Sequence, residues 1–509
     1  MLNLNIYACL FSFFYKFRIM KIKTMLRLIV LFALFSCQKD DDNPVVSDVL
    51  VQKIEITGAD ITSGVNDQMT AKVTPDNATD KTVSWKVSDA AIADISTDGL
   101  ITAKKNGTIT ITATAKDKSA VTATKIINIT SFSVTPVADY EVSTVVELTT
   151  ALGKVKAGET IVLNGGTYAM TSKISITTSG TSDKVITLKA KEGAARPKLD
   201  FSAMTENSAN QGIVLSADYW HIKGIDIYKA GDNGMQIKGS NNTIEFMTFS
   251  ECSDSGLQLD NGAANNTILN CDSYFNADAT LENADGFACK LNAGTGNKFV
   301  GCRAWQNLDD GWDGYLRETD NISTTYQNCW AVKNGYLKSG TKGAGDGNGF
   351  KTGGSDENNG IKLLKHNAKY TNCIAAGNVA DGFDHNSNRG EVTIYNCSAY
   401  DNGRNYSFSS SNPLAKLIIK NSNVLGAYGT TLADVIDVTN NSWQNGITVT
   451  SDDFTSIDYT QLLSARKADG SLPDVTFFHL KADSDMVNKG VDVGLPFYGT
   501  LPDLGAFEF

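Results

Sequence analysis

Histidine and proline are scarce in this chain, with four and eight residues among 509. His221, His366, His385 and His479 are the four histidines, and none pairs with another at metal-ligand spacing, which excludes a histidine-based zinc centre. Runs of Lys and Arg are absent and the formal net charge is -11. That balance excludes a broadly basic nucleic-acid binder, so no nucleic-acid partner is expected. An acidic polymer remains a possible partner only through local cations or a bridging metal. With little proline, 44 glycines and many Asn, Thr and Ser, the composition predicts a turn-rich all-β protein. Its length is too great for one small core and predicts several domains or an elongated repeat.

The amino-terminal stretch Met25–Cys37 has a basic start, a short apolar run and a small residue before cysteine. It is too short to span a bilayer comfortably. Leu34-Phe-Ser-Cys37 resembles a bacterial lipobox, and Gln38-Lys-Asp-Asp-Asp42 resembles the acidic tag of surface-exposed lipoproteins. Residues 1–36 are therefore expected to be a lipoprotein signal and 37–49 an acidic tether. The expected product is an exported outer-membrane lipoprotein on the cell surface, touching the membrane only through lipid on Cys37. Five later cysteines recur in one local context: Cys271, Cys302, Cys329, Cys373 and Cys397 each follow Asn or Gly. A small buried residue at one repeated position explains this without disulfides.

From residue 50 to 131, short alternating runs come between turn residues, as in Lys53-Ile-Glu-Ile56 and Thr108-Ile-Thr-Ile-Thr-Ala113. The pattern predicts a small β-sandwich. Val73-Thr-Pro-Asp-Asn-Ala78, Val83-Ser-Trp85 and Gly107-Thr-Ile-Thr-Ile-Thr112 resemble the bacterial immunoglobulin-like module of group 2. The remainder, 138–509, reads as one repeat domain. Asn270, Asn328, Asn372, Asn396 and Asn421 recur at solenoid-like intervals, and asparagine at a fixed turn tolerates the left-handed backbone.

Within that repeat, six segments align on glycines 234, 256, 286, 311, 349 and 382. A large apolar residue follows each glycine: Met235, Leu257, Phe287, Trp312, Phe350, Phe383. The next position is mostly polar, which is strand alternation. Stacked as rungs of a parallel sheet, the segments place Asp285 beside Asp310 and Asp313 beside Lys351, with Asp309 adjacent. Trp312 and Phe350 fall on the inward side, and Lys351 is expected to face solvent. Asp285, Asp309, Asp310 and Asp313 offer only carboxylates, which favours a hard cation. Calcium, with its irregular six to eight oxygen ligands, fits better than magnesium. Asp381-Gly382 reads as a turn pair. The glycine-rich stretch Lys338–Asp346 precedes Lys351, where a substrate wall is expected.

Asn283-Ala-Asp-Gly-Phe-Ala-Cys-Lys-Leu291, Asn307-Leu-Asp-Asp-Gly-Trp-Asp313 and Gly347-Asn-Gly-Phe-Lys-Thr-Gly-Gly354 resemble the active-site blocks of polysaccharide lyase family 9. The entry to the domain, Ala157-Gly-Glu-Thr-Ile-Val-Leu163, resembles the first coils of right-handed parallel β-helices. The resemblance implies a right-handed parallel β-helix and a calcium-dependent pectate lyase acting on the acidic pectin backbone. It further implies calcium ligands Asp285, Asp309, Asp310 and Asp313, with Lys351 as the base of a β-elimination. Lys290, Tyr315, Arg389 and Arg404, and also Arg317, are candidates to meet substrate carboxylates or sugar, with Lys290 and Tyr315 expected to point outward. A monomer is expected. Rhamnogalacturonan I is the alternative substrate within the family. A polygalacturonase-type hydrolase would use Asp309-Asp310 but lacks its Gly-His-Gly and Arg-Ile-Lys blocks here. A non-enzymatic surface β-helix would have no need of the lysine.

Overall fold

The computed structural model describes residues 48–62, 66–130, 138–356 and 362–509. The signal, Cys37 and most of the tether lie outside the described residues. The chain divides into two compact units, Met1–Thr135 and Pro136–Phe509.

The first unit is a sandwich of short antiparallel strands. Val83–Val87, Gly107–Ala115 and Thr122–Ile129 form one sheet; Asn66–Gln68, Leu100–Ala103 and Ala93–Ile95 form another; Lys53–Thr57 pairs with Thr70–Thr74. Alternation decides which face is inside: Ile109, Ile111, Ala113 and Ala115 are buried while their neighbours are not.

The second unit is a parallel β-helix of three sheets, containing twelve, ten and ten strands. Each coil contributes one short strand to each sheet, and every lateral pairing within the sheets is parallel. A capping box between Thr144 and Glu147 starts the helix Val145–Leu152, which sends Leu148 and Ala151 into the same core as the first coil. Coils continue to the strand Val435–Thr439. The last seventy or so residues, assigned to the repeat on sequence grounds, are not coils. They run along one sheet, and Phe454, Leu462, Phe477, Phe478 and Leu480 pack on its Trp330, Val332, Ile374 and Ala376. A buried cluster ties them down: Arg303 and Arg466 both pair with Asp272, at 2.8 and 2.7 Å.

Ladders of identical positions fill the interior. Phe287, Trp312, Phe350, Phe383 and Tyr406 stack with successive ring centroids 5.1, 4.8, 5.0 and 5.3 Å apart. Cys271, Cys302, Cys329, Cys373 and Cys397 are buried and form no disulfides, as the repeated local context predicts. Asn270, Asn328, Asn372, Asn396 and Asn421 all have φ between 51° and 56°. A second asparagine ladder runs inside the coil: the side chains of Asn276, Asn307, Asn334, Asn378 and Asn402 hydrogen-bond in series at 2.8 to 3.0 Å.

Candidate active site

The inner asparagine ladder explains the shared glycine. A Cβ on Gly286 would stand 2.7 Å from the Asn307 amide nitrogen. On Gly311 it would stand 2.8 Å from that of Asn334 and 2.5 Å from the Gly349 carbonyl. Only glycine lets the chain pass so close. After each glycine comes a short strand of the third sheet: Phe287–Cys289, Trp312–Asp313, Phe350–Lys351 and, within Asp381–Asp384, Phe383-Asp384. The register pairs Phe287 with Trp312, Trp312 with Phe350 and Phe350 with Phe383, so Asp313, Lys351 and Asp384 occupy successive rungs. Asp381-Gly382, read as a turn pair, is part of a strand; Asp384 beside Lys351 is a neighbour that reading passed over.

Carboxylate oxygens of Asp285, Asp309 and Asp310 lie within 4.8 Å of one another. Asp313 falls outside that trio. Its carboxylate accepts the Tyr315 amide at 3.0 Å and faces Lys290 Nζ at 3.5 Å and Lys351 Nζ at 3.9 Å. Lys351 Nζ also stands 3.1 Å from Asp310 Oδ2 and 3.0 Å from Asp346 Oδ2. The contact to Asp310 lies off the direction that a hydrogen bond requires, leaving Asp310 Oδ2 buried without a donor.

Lys351 does not face solvent as the alternation suggested. Its side chain is 9% exposed. It is closed in by the carboxylates and by Asp346, which the glycine-rich loop brings over it; that loop is fastened by the Asp346 amide on Asp309. Lys290 does not point freely outward either. Past the strand the backbone turns at Leu291, with φ of 61°, and Lys290 Nζ pairs with Asp285 at 2.8 Å. Tyr315 is half-buried and its hydroxyl donates to Asp356 at 2.5 Å. Arg317 pairs with Asp356 at 3.3 Å. Arg389 donates to the Pro413 carbonyl and pairs with Asp434, away from the cluster. Arg404 pairs with Asp381.

Electrostatics fit a cation site. Burial raises the proton affinity of Asp309, reinforced by the Asp285 charge, to a pKa of about 7. Burial and the Asp309 charge push Asp310 well above the carboxylate range, and burial raises Asp285. Asp313 goes the other way: burial opposes its charge, but Lys351 and Lys290 outweigh it and hold it below the ordinary value. Lys351 loses solvation, yet Asp310, Asp313, Asp309 and Asp346 hold it firmly protonated. Burial raises Asp384 to about 7 as well, with Asp381 adding to it. A donor set of crowded carboxylates, one with a buried oxygen that no donor satisfies, suits a hard divalent cation.

Residues 135–423 match the family profile described as the Pel9A-like right-handed β-helix region, and 51–125 match the bacterial Ig-like domain of group 2. Pectate lyase L of Dickeya dadantii (strain 3937) is 36% identical over 70% of this chain and 84% of its own length. The crystal structure of pectate lyase Pel9A superposes with a TM-score of 0.64 at 36% identity, covering 71% of this chain and 90% of the other. A solved rhamnogalacturonan lyase gives a TM-score of 0.60 at 27% identity, covering 66% and 92%. A profile matching more than half of the chain, with a relative of this identity and coverage, settles membership: the chain belongs to the Pel9A-like right-handed β-helix family, with a group 2 bacterial Ig-like domain preceding the β-helix in sequence.

Proposed function

We propose that this protein is a calcium-dependent pectate lyase that cleaves the acidic pectin backbone by β-elimination, with Lys351 as the base. One observation carries the reading: three carboxylates within 4.8 Å of one another, those of Asp285 and Asp310 buried, with the Lys351 ammonium 3.1 Å from one of them. Its relatives of that name support the substrate class.

Asp285, Asp309, Asp310 and Asp313 would hold the calcium. When bound, the ion would draw negative charge from a uronate carboxylate and make the hydrogen on C5 more acidic. Lys351 takes that proton as the C4 oxygen leaves. A base must be neutral first, and here four carboxylates oppose that. Positive charge brought to the cluster reduces their hold and lets Lys351 release its proton nearer the working pH. Lys351 stands on a rigid rung between those of Asp313 and Asp384, so little reorganisation is needed.

A second reading, a lyase of the rhamnogalacturonan I backbone, is supported by the solved lyase of that name. The test is ultraviolet absorbance of unsaturated sugar ends, measured on polygalacturonate and on rhamnogalacturonan I, each with calcium and with chelator. Absorbance on polygalacturonate that is lost in chelator and regained with calcium is expected. Cleavage without unsaturated ends would make the protein a hydrolase, and no cleavage of either polymer would leave a non-catalytic surface protein.

A further inference from the structure

The aspartate column of the site does not end at the cluster. Asp285, Asp310, Asn348, Asp381 and Arg404 stand on five successive rungs at one position of the coil. Arg404 is therefore two rungs beyond the Lys351 coil, roughly 10 Å along the axis. Its guanidinium is held by one edge only: Nε and Nη2 donate to the two oxygens of Asp381 at 2.6 and 2.7 Å. Asp381 is 4% exposed and fixed, whereas the arginine side chain is 64% exposed. Among the described residues Nη1 donates to nothing. The fork thus presents a second, pre-oriented edge of the kind that takes a carboxylate through two hydrogen bonds. It opens on a groove of about 240 Å³ lined also by Tyr400, Asp401, Asn402 and Asn405.

The opposite side of the site has a different character. A groove of about 470 Å³ next to Lys290 is lined by Glu206, Asp232, Asp254 and Asp278. Its ammonium, Lys290, is already bound to Asp285 and Asp313. A run of uronates laid there would meet like charge, and Lys290 is not free to answer it.

We propose that the polyuronate chain extends from the carboxylate cluster toward the carboxy-terminal coils, where the free edge of Arg404 binds the carboxylate of a uronate remote from the reacting unit. This rests on the lyase reading and adds to it a residue that grips the chain without touching the reacting atoms.

The test compares wild type, Arg404→Gln and Arg404→Lys on trigalacturonate and octagalacturonate with saturating calcium. Loss of one charge-assisted pair predicts a KM on the octamer raised about tenfold in Arg404→Gln, with kcat within about twofold. The trimer, which reaches Arg404 in only some of its registers, should show a smaller rise in KM. Arg404→Lys keeps the charge without the fork, so its KM should fall between the two, and it also serves if the glutamine variant does not fold. Arg404→Gln leaves the nearly buried Asp381 unpaired and should lower the melting temperature, so the comparison of the two lengths, which a structural cause would affect alike, separates the readings. An unchanged KM on the octamer, an equal rise on both lengths, or a fall in kcat alone would overturn the proposal. A wild-type enzyme that makes no unsaturated product would instead overturn the lyase reading.

Discussion

The carboxylate cluster should make stability of the second unit depend on pH in an unusual direction. Most carboxylates are more acidic when folded, so acid destabilises. Here Asp309 is held at about 7 against an ordinary 3.8, with Asp285 and Asp310 raised too. A carboxyl that binds its proton more tightly when folded favours the folded state at low pH. That advantage is full below the unfolded value and is lost as pH rises through the folded one. Lys351 and Asp313 do not cancel it between pH 5 and 8, but His366, His385 and His479, shifted downward by burial, oppose it below about pH 7. The lysine stays protonated throughout, and Asp313, shifted downward, contributes only near or below its ordinary value. For Asp309 alone the shift is worth up to about 4 kcal/mol at pH 8. Relaxation of the acid cluster and the nearby ammonium groups should bring the observed effect to about 2 kcal/mol, or about 2 °C for a unit of this size. The assay is unfolding in chelator at about pH 7 and 8.5, followed by tryptophan fluorescence, to which the buried Trp220 and Trp312 of the second unit contribute. Stability should be lower at pH 8.5, and calcium should reverse the difference, since an ion at 100 times its Kd adds about 2.7 kcal/mol. A chelated protein that becomes more stable as pH rises to 8.5 would refute the reasoning.

Gly311→Ala should cost at least about 3 kcal/mol and most activity, because its Cβ would meet a backbone carbonyl at 2.5 Å; melting and the absorbance assay check both. Arg303→Ala should destabilise by about 3–5 kcal/mol, since it removes one of two guanidinium groups from buried Asp272; faster proteolysis of the carboxy-terminal segment should accompany it. Cys37→Ala should leave the protein soluble or unprocessed, judged by membrane fractionation, and normal maturation would refute the lipid anchor.

The rungs of the site were legible because two periodicities coincide there: strand alternation and a glycine forced by a neighbouring side chain. That neighbour, the inner asparagine ladder, was passed over although its register is in the sequence. Asn276, Asn307, Asn334, Asn378 and Asn402 each stand five residues after the repeated cysteine, but they follow the glycines they pack on by differing numbers of residues, so the glycine alignment alone does not bring them together. Lys351 was placed on its rung correctly but on the wrong side of the solvent boundary. Alternation says which way a side chain leaves the sheet, and cannot say that Asp346 will be folded over it. Lys290 was misdirected for a related reason: the strand ends at Cys289, and alternation ends with it. The carboxy-terminal segment has no periodicity to read, and its place depends on Asp272, nearly two hundred residues earlier.

In the proposed reaction Lys351 removes the proton. Lys351→Ala, assayed on polygalacturonate with saturating calcium, tests it most directly. Truncation removes an interaction used only in the transition state, so kcat should fall by at least about a thousandfold with substrate affinity little changed, and calcium should bind no more weakly because the competing ammonium is gone. Activity within a few-fold of wild type would contradict the account and place the base elsewhere, with Lys290 the next residue to test.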